Sequence, residues 1–191
     1  MRCLSCQTLS LRLICQSCQK HFLKPSIIEE RLPSGLKVIS FYHYEEIEQL
    51  LKSKYSPIGS KIYTMLSKNS FYPFLKAFDT HIKTNLIPID DHLKQGYSHT
   101  AIIAKAAQTQ YIKACYQTLQ SKNTITYAGK DLDFRLQNPK EFIYRPKNNL
   151  PSILIDDIIT TGTTLMQADE ALKQKEQIPL FALTLATARH A

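Results

Sequence analysis

At 191 residues, 43% of them hydrophobic and 21% charged, the chain has room for one full α/β domain and a small appendage but not for two large domains. No stretch approaches a bilayer-spanning run of apolar residues, and an N-terminus rich in Cys and Arg is unlike a secretory leader, so a cytoplasmic protein, or one peripheral to the inner membrane, is expected. The formal net charge of +8 is concentrated: Arg2, Arg12, Lys20 and Lys24 stand in the first 28 residues without an acid, and nine Lys or Arg between residues 94 and 147 face only Asp131, Asp133 and Glu141. Such regions fit an anionic partner larger than one phosphosugar, either nucleic acid or an acidic membrane surface. They also fit a lysine-rich surface kept for solubility.

Cys3, Cys6, Cys15 and Cys18 make two C-x-x-C pairs, and only Cys115 lies elsewhere. In a chain without an export signal this spacing reads as a tetrahedral Zn²⁺ site rather than disulfides. Residues 1–24 are expected to form a small zinc ribbon, in which the metal replaces a core too small to fold alone. Four thiolates around Zn²⁺ leave a charge of −2, which the basic residues of the ribbon more than offset. The ribbon is then a structural clip, a nucleic-acid contact or, less in keeping with two pairs, a redox dithiol. His21 is a bystander to a complete shell.

A linker with turn residues Pro33, Ser34 and Gly35 is expected over 25–35, with the main domain over 36–191. Lys37–Tyr44 reads as a strand and Glu45–Lys54 as a helix with its acids in the first turn. Lys61–Lys83 reads as helical, broken near Pro73. Asn85–Ile89 is a strand leading to a polar loop in which Gly96 backbone and Lys94 suit a pyrophosphate. The periodicity predicts a helix over His99–Thr118, with Cys115 as a buried small hydrophobe. Thr124–Tyr127 and Phe142–Tyr144 are strand candidates on either side of a polar 128–140 segment of the kind that closes on a ligand. Pro146–Pro151 is a turn and Pro179–Thr187 a last apolar strand. Alternation of strands and helices gives an α/β class with a doubly wound, mainly parallel sheet.

The most informative stretch is Ser152–Leu165, S-I-L-I-D-D-I-I-T-T-G-T-T-L. Ile153, Leu154 and Ile155 form the continuous apolar run of a strand buried on both faces, expected to stop at Asp156 and Asp157. Ligands of open α/β sheets bind beyond the carboxyl ends of strands. There Thr160, Thr161, Gly162, Thr163 and Thr164 supply hydroxyls and a tight turn, and a helix from about Thr164 aims its N–H groups back into the loop. Adjacent carboxylates repel, so a cation or hydroxyl donors are needed between them, and a ribose diol with a divalent metal satisfies both. No Lys follows Gly162, so the loop is not the one that holds nucleoside triphosphates. The stretch resembles the signature of the type I phosphoribosyltransferases, which grip the 5′-phosphate of 5-phosphoribosyl-1-pyrophosphate (PRPP).

Together with Cys3, Cys6, Cys15 and Cys18, the strand and loop Ile87–Tyr97, and Arg135-Leu136-Gln137-Asn138 followed by Phe142, the stretch Ile155–Thr164 makes almost the whole chain similar to the ComF-type proteins of bacterial competence. The chain departs from that family at Gln95-Gly96-Tyr97-Ser98, where Arg-Gly-Tyr-Asn is usual. The resemblance implies a zinc ribbon joined to a phosphoribosyltransferase-like domain, PRPP bound through Asp156, Asp157 and residues 160–164, and a role in natural transformation. It further implies handling of single-stranded DNA, with a competence helicase as partner. In a catalytic reading, Asp156 and Asp157 hold the ribose diol and orient Mg²⁺, Thr160–Thr164 take the 5′-phosphate, and Lys94 with Gly96 receives the pyrophosphate. Arg2, Arg12, Lys20, Lys130, Arg135 and Lys140 are the candidate DNA contacts, with Tyr44, Tyr97 or Tyr127 as stacking surfaces. The competing readings are a nucleobase phosphoribosyltransferase of nucleotide salvage and a non-catalytic regulator whose effector is PRPP.

Overall fold

The computed structural model describes residues 1–78, 81–90, 97–122 and 141–189. In chain order its elements are α1 (Gln16–Phe22), β1 (Ile28–Arg31), β2 (Lys37–His43), α2 (Tyr44–Leu51), a 3₁₀ turn (Lys52–Tyr55), α3 (Gly59–Asn69) and α4 (Phe71–Phe78). There follow β3 (Thr84–Pro88), α5 (His99–Ala107), β4 (Ile112–Ala114), β5 (Leu119–Ser121), β6 (Phe142–Tyr144), β7 (Ser152–Ile159), α6 (Thr163–Lys173) and β8 (Phe181–Thr187).

The near-continuous apolar runs of β7 and β8 need cover on both faces, and they find it at the centre of a sheet ordered β1-β2-β8-β7-β3-β4. All neighbours in it are parallel except β1, which pairs antiparallel with β2. Side chains alternate between the two faces. Ile153, Ile155, Leu183, Leu185, Ile39 and Phe41 join a core completed by α2–α5. Leu154, Ala182 and Val38 pack on the other side with Leu165, Ala168 and Leu172 of α6 and with β5 and β6. The fold is therefore the expected mainly parallel α/β class.

The N-terminal segment that carries the four cysteines is packed against the first of these cores. Cys3, Ile14, Cys18 and Leu23 belong to the same buried cluster as Phe41, Tyr42 and Phe71. The buried Tyr42 hydroxyl donates to the Leu23 carbonyl at 3.2 Å, and Asn69 Nδ2 donates to Gln19 Oε1 at 3.1 Å.

Several sequence expectations are corrected. The segment expected as a linker contains β1, whose register runs from Ile28 opposite Ser40 to Arg31 opposite Lys37, so Pro33-Ser34-Gly35 is a hairpin turn with Gly35 at φ 88°. The helical region breaks at Ser70, not at Pro73. Pro73 falls in the first turn of α4, where its missing N–H is one that a helix leaves unpaired anyway. The helix expected over His99–Thr118 ends at Ala107. Beyond it Tyr111 and Ile112 favour extended chain, and β4 covers the edge of β3, with Cys115 N–H donating to Leu86 O at 2.8 Å. Cys115 is thus half-buried after a strand rather than within a helix. Finally, β7 does not stop at the acids. Its pairing with β8 continues through Asp156 opposite Thr184 to Ile159 opposite Thr187. The strand candidate Thr124–Tyr127 and the polar segment 128–140 lie outside the described residues.

Candidate functional site: the turn after β7

Gly162 turns the chain from β7 into α6 at φ 82°, ψ −3°, a left-handed conformation open to glycine. A Cβ here would meet Leu32 Cδ2 at 2.7 Å and Arg189 Nη1 at 3.4 Å. Leu32 comes from the β1–β2 hairpin, which also accepts a 3.0 Å hydrogen bond at Ser34 O from Lys173 at the far end of α6. The hairpin thus braces the helix at both ends. Arg189 is held by an ion pair with Glu30 of β1 at 2.9 Å.

Thr161 and Thr163 hydroxyls lie 2.9 Å apart, and the Thr163 N–H points at Thr161 Oγ1 at 3.4 Å. Gly162 has no side chain to cap α6, and the first intrahelical bond runs from Met166 N–H to Gly162 O at 2.9 Å. The first turn of α6 thus borders a small cleft lined by Asp156, Thr160, Thr161, Gly162, Thr163 and Thr164. The hydroxyls of Thr161 and Thr163 and the positive end of the helix dipole border this one cleft, a setting that favours an anion.

The two acids are not equivalent. Asp156 is half-buried, and its Oδ1 accepts from the Asp157 N–H at 2.8 Å. Asp157 is 7% exposed and turns toward the other face of the sheet, where its Oδ2 lies 3.5 Å from Lys54 Nζ and 3.4 Å from His99 Nε2. That oxygen is buried and makes no hydrogen bond among the described residues, so these are ion-pair contacts only. Burial alone would raise the carboxyl, but His99 and Lys54 outweigh it and hold Asp157 below its ordinary value. The charge compensation expected from a diol and a metal is, for Asp157, supplied by the protein's own Lys54, with the His99 imidazole beside it. Sequence reasoning missed both, since a lysine in a Lys-rich turn and a histidine at a helix start carry no local signal. The depressed carboxyl stabilises the fold fully above the ordinary aspartate value of about 3.9, and that stability is lost as pH falls through the lower folded value. Asp157→Asn is expected to cost about 1–3 kcal/mol at pH 7 and to flatten the acid limb of a thermal-melt pH series. An unchanged acid limb would contradict the pairing.

The second constellation is the cysteine cluster. The sulfurs of Cys3, Cys6, Cys15 and Cys18 all lie within 4.8 Å of one another, with Cys6 and Cys15 3.6 Å apart. Zn–S bonds of about 2.3 Å place tetrahedral sulfurs about 3.8 Å apart, so the four fit a Zn²⁺ ion. The Cys15 N–H donates to Cys3 Sγ at 3.2 Å and the Ser5 N–H at 3.4 Å. The backbone hydrogen bond from Cys15, with others from Cys6 and Ser5, draws Cys3 down to about 6 against burial. Against a lowering hydrogen bond from Ser5, burial and the neighbouring thiols push Cys18 up to about 12. Thiols so crowded cannot all ionise without a cation among them.

Arg2, Arg12 and Lys20 are exposed on the ribbon, as are Leu9 and Leu11. Tyr44 is half-buried with its hydroxyl 3.3 Å from Glu48 Oε1, and the Tyr97 hydroxyl donates to Lys54 O at 2.6 Å. Lys94, Gly96, Tyr127, Lys130, Arg135 and Lys140 lie outside the described residues. Among the described residues, no helix is long and apolar enough to cross a membrane.

No family model matches the chain, and no curated protein matches it in sequence. Among solved structures it is similar to the Helicobacter pylori xanthine-guanine-hypoxanthine phosphoribosyltransferase, at 12% identity and a TM-score of 0.40, over 71% of this chain and 87% of that one. It is also similar to orotate phosphoribosyltransferase from Aeropyrum pernix, at 14% identity and a TM-score of 0.38, over 90% of this chain and 80% of that one. With TM-scores below 0.5, the functional reading rests on the residues of the site.

Proposed function

We propose that the chain is a competence factor that binds PRPP at the turn after β7 and handles single-stranded DNA during uptake, with a competence helicase as partner. The observation that carries the first half is the anion cradle at Thr160–Thr164, set beside Asp156 at the carboxyl end of a central parallel strand. A phosphate fits the N–H groups and hydroxyls, and a ribose diol fits the neighbouring Asp156. Asp156, the acid that lines the cleft, would hold Mg²⁺, which screens the charge of the phosphates when bound, whereas Asp157 is taken up by Lys54 and His99.

The DNA half is supported by the ribbon's exposed cations and by its resemblance to the ComF-type arrangement. Arg2, Arg12 and Lys20 are exposed on the segment that carries the four-cysteine cluster, and Lys130, Arg135 and Lys140 form a second basic stretch in the sequence. Removing a cation that pairs with a DNA phosphate weakens binding and flattens its salt dependence. An electrophoretic-mobility assay is the test. Both Cys15→Ser with Cys18→Ser, and Lys130→Ala with Arg135→Ala and Lys140→Ala, are expected to bind an oligonucleotide less well. Undiminished binding by both variants would remove these surfaces from the account.

The second reading, a nucleobase phosphoribosyltransferase, has one observation in its favour. A cavity of about 560 Å³ lined by Lys122, Phe142, Thr163, Met166 and Glu170 reaches the start of α6, within the size range of small-molecule sites. In that reading the protein orients the ribose C1 for attack by a ring nitrogen and stabilises the departing pyrophosphate. Pyrophosphate release with any common base would favour this reading.

A further inference from the structure

The phosphate cradle and the partner of Asp157 lie on opposite faces of the same strand end. The helix that forms the cradle, α6, packs with Leu154 and Ala182, whereas α2, α3 and α5 pack on the side of Ile153 and Ile155. Asp157 turns to that second side and meets Lys54, a cation only 22% exposed in its side chain. Three further features fix Lys54. Its carbonyl accepts the Tyr97 hydroxyl at 2.6 Å. Gly59 is buried against Tyr97 Oη and Ser53 O with no room for a Cβ, which lets the turn approach so closely. His99, at the first turn of α5, contacts the same Asp157 oxygen at 3.4 Å. Tyr97 directly follows the segment in which the sequence places Lys94 and Gly96.

A lysine pinned through both its backbone and its ammonium group, at the carboxyl edge of the sheet, is pre-organised for an anion. We propose that Lys54 binds the second anionic group of the ligand, the pyrophosphate end of a phosphosugar whose 5′-phosphate occupies the Thr160–Thr164 turn, with Asp157, His99 and Tyr97 as its positioning residues. The inference rests on the PRPP reading and refines it. Asp157 commits Oδ2 to Lys54 and His99, so Asp156 is the carboxylate that faces the ribose diol. Lys54 offsets the charge of Asp157, so the constellation meets a dianion without the penalty of a bare acidic pair.

The test compares PRPP with ribose 5-phosphate, which lacks the second anionic group, by calorimetric titration in the presence of Mg²⁺. In Lys54→Ala, PRPP affinity is expected to fall roughly tenfold to a hundredfold, the range for losing a charge-assisted hydrogen bond, while ribose 5-phosphate affinity stays within about twofold. Lys54→Arg is expected to restore most of the difference. Tyr97→Phe, which keeps the ring and removes the hydroxyl, is expected to shift the PRPP to ribose 5-phosphate ratio in the same direction by less. A ratio unchanged in both Lys54→Ala and Tyr97→Phe overturns the assignment while leaving the PRPP reading intact. Wild-type protein that binds neither ligand overturns both.

Discussion

Replacing Gly162 with valine is expected to abolish PRPP binding, raising Kd by at least about a hundredfold, while far-UV circular dichroism stays close to wild type. Two costs combine. The backbone sits at φ 82°, where a β-branched residue costs about 1–3 kcal/mol. The new Cβ would also stand 2.7 Å from Leu32 Cδ2, and relieving such overpacking costs about 1–3 kcal/mol more. The chain can escape both only by rotating the 161–163 peptides, which turns the amides away from the cleft. Gly162→Ala shares the backbone cost without the branching, so its loss should be smaller. A Gly162→Val protein that binds PRPP normally would mean that the turn is not the phosphate site.

The largest effect on stability is expected at the cysteine cluster. Purified wild-type protein should carry one Zn²⁺ per chain, and Cys15→Ser with Cys18→Ser should carry much less. Structural zinc supplies about 10–16 kcal/mol of apparent binding free energy in small zinc-finger peptides, far more than a ribbon of this size can gain from its own core. The consequence should spread, because Cys3, Ile14, Cys18 and Leu23 are part of the buried cluster that includes Phe41 and Phe71. Losing the ribbon would leave the buried Tyr42 hydroxyl without Leu23 O and bare one face of the helical layer. A strong chelator should therefore lower the melting temperature of the whole chain rather than produce a separate early transition. An unchanged melting curve after complete zinc removal would show that the ribbon is an independent appendage.

Legibility in the sequence followed the range of the interactions involved. The central strand and its turn were readable because the apolar run Ile153–Ile155, the two acids and the Thr-Gly-Thr pattern are contiguous, and each residue type has a local reason to be there. The cysteine cluster was readable because C-x-x-C spacing is itself a ligand geometry. What could not be read depends on residues far apart in the chain. Lys54 and His99 meet Asp157 only because a turn after α2 and the start of α5 are packed against the same strand end. Leu32 and Glu30 reach Gly162 and Arg189 only because a strand hidden in an apparent linker pairs with β2. The misplaced helix end at Ala107 has the same origin. An alanine-rich periodicity continued on paper into a segment that the exposed edge of β3 recruits as a strand.

The central claim, that the turn between β7 and α6 grasps a phosphosugar, is tested most directly by a crystal structure grown with PRPP and Mg²⁺. The account predicts the 5′-phosphate seated on the amides and hydroxyls of Thr161–Thr164, with Asp156 at the ribose hydroxyls. Density for PRPP elsewhere on the protein, with that turn filled only by solvent, would contradict it.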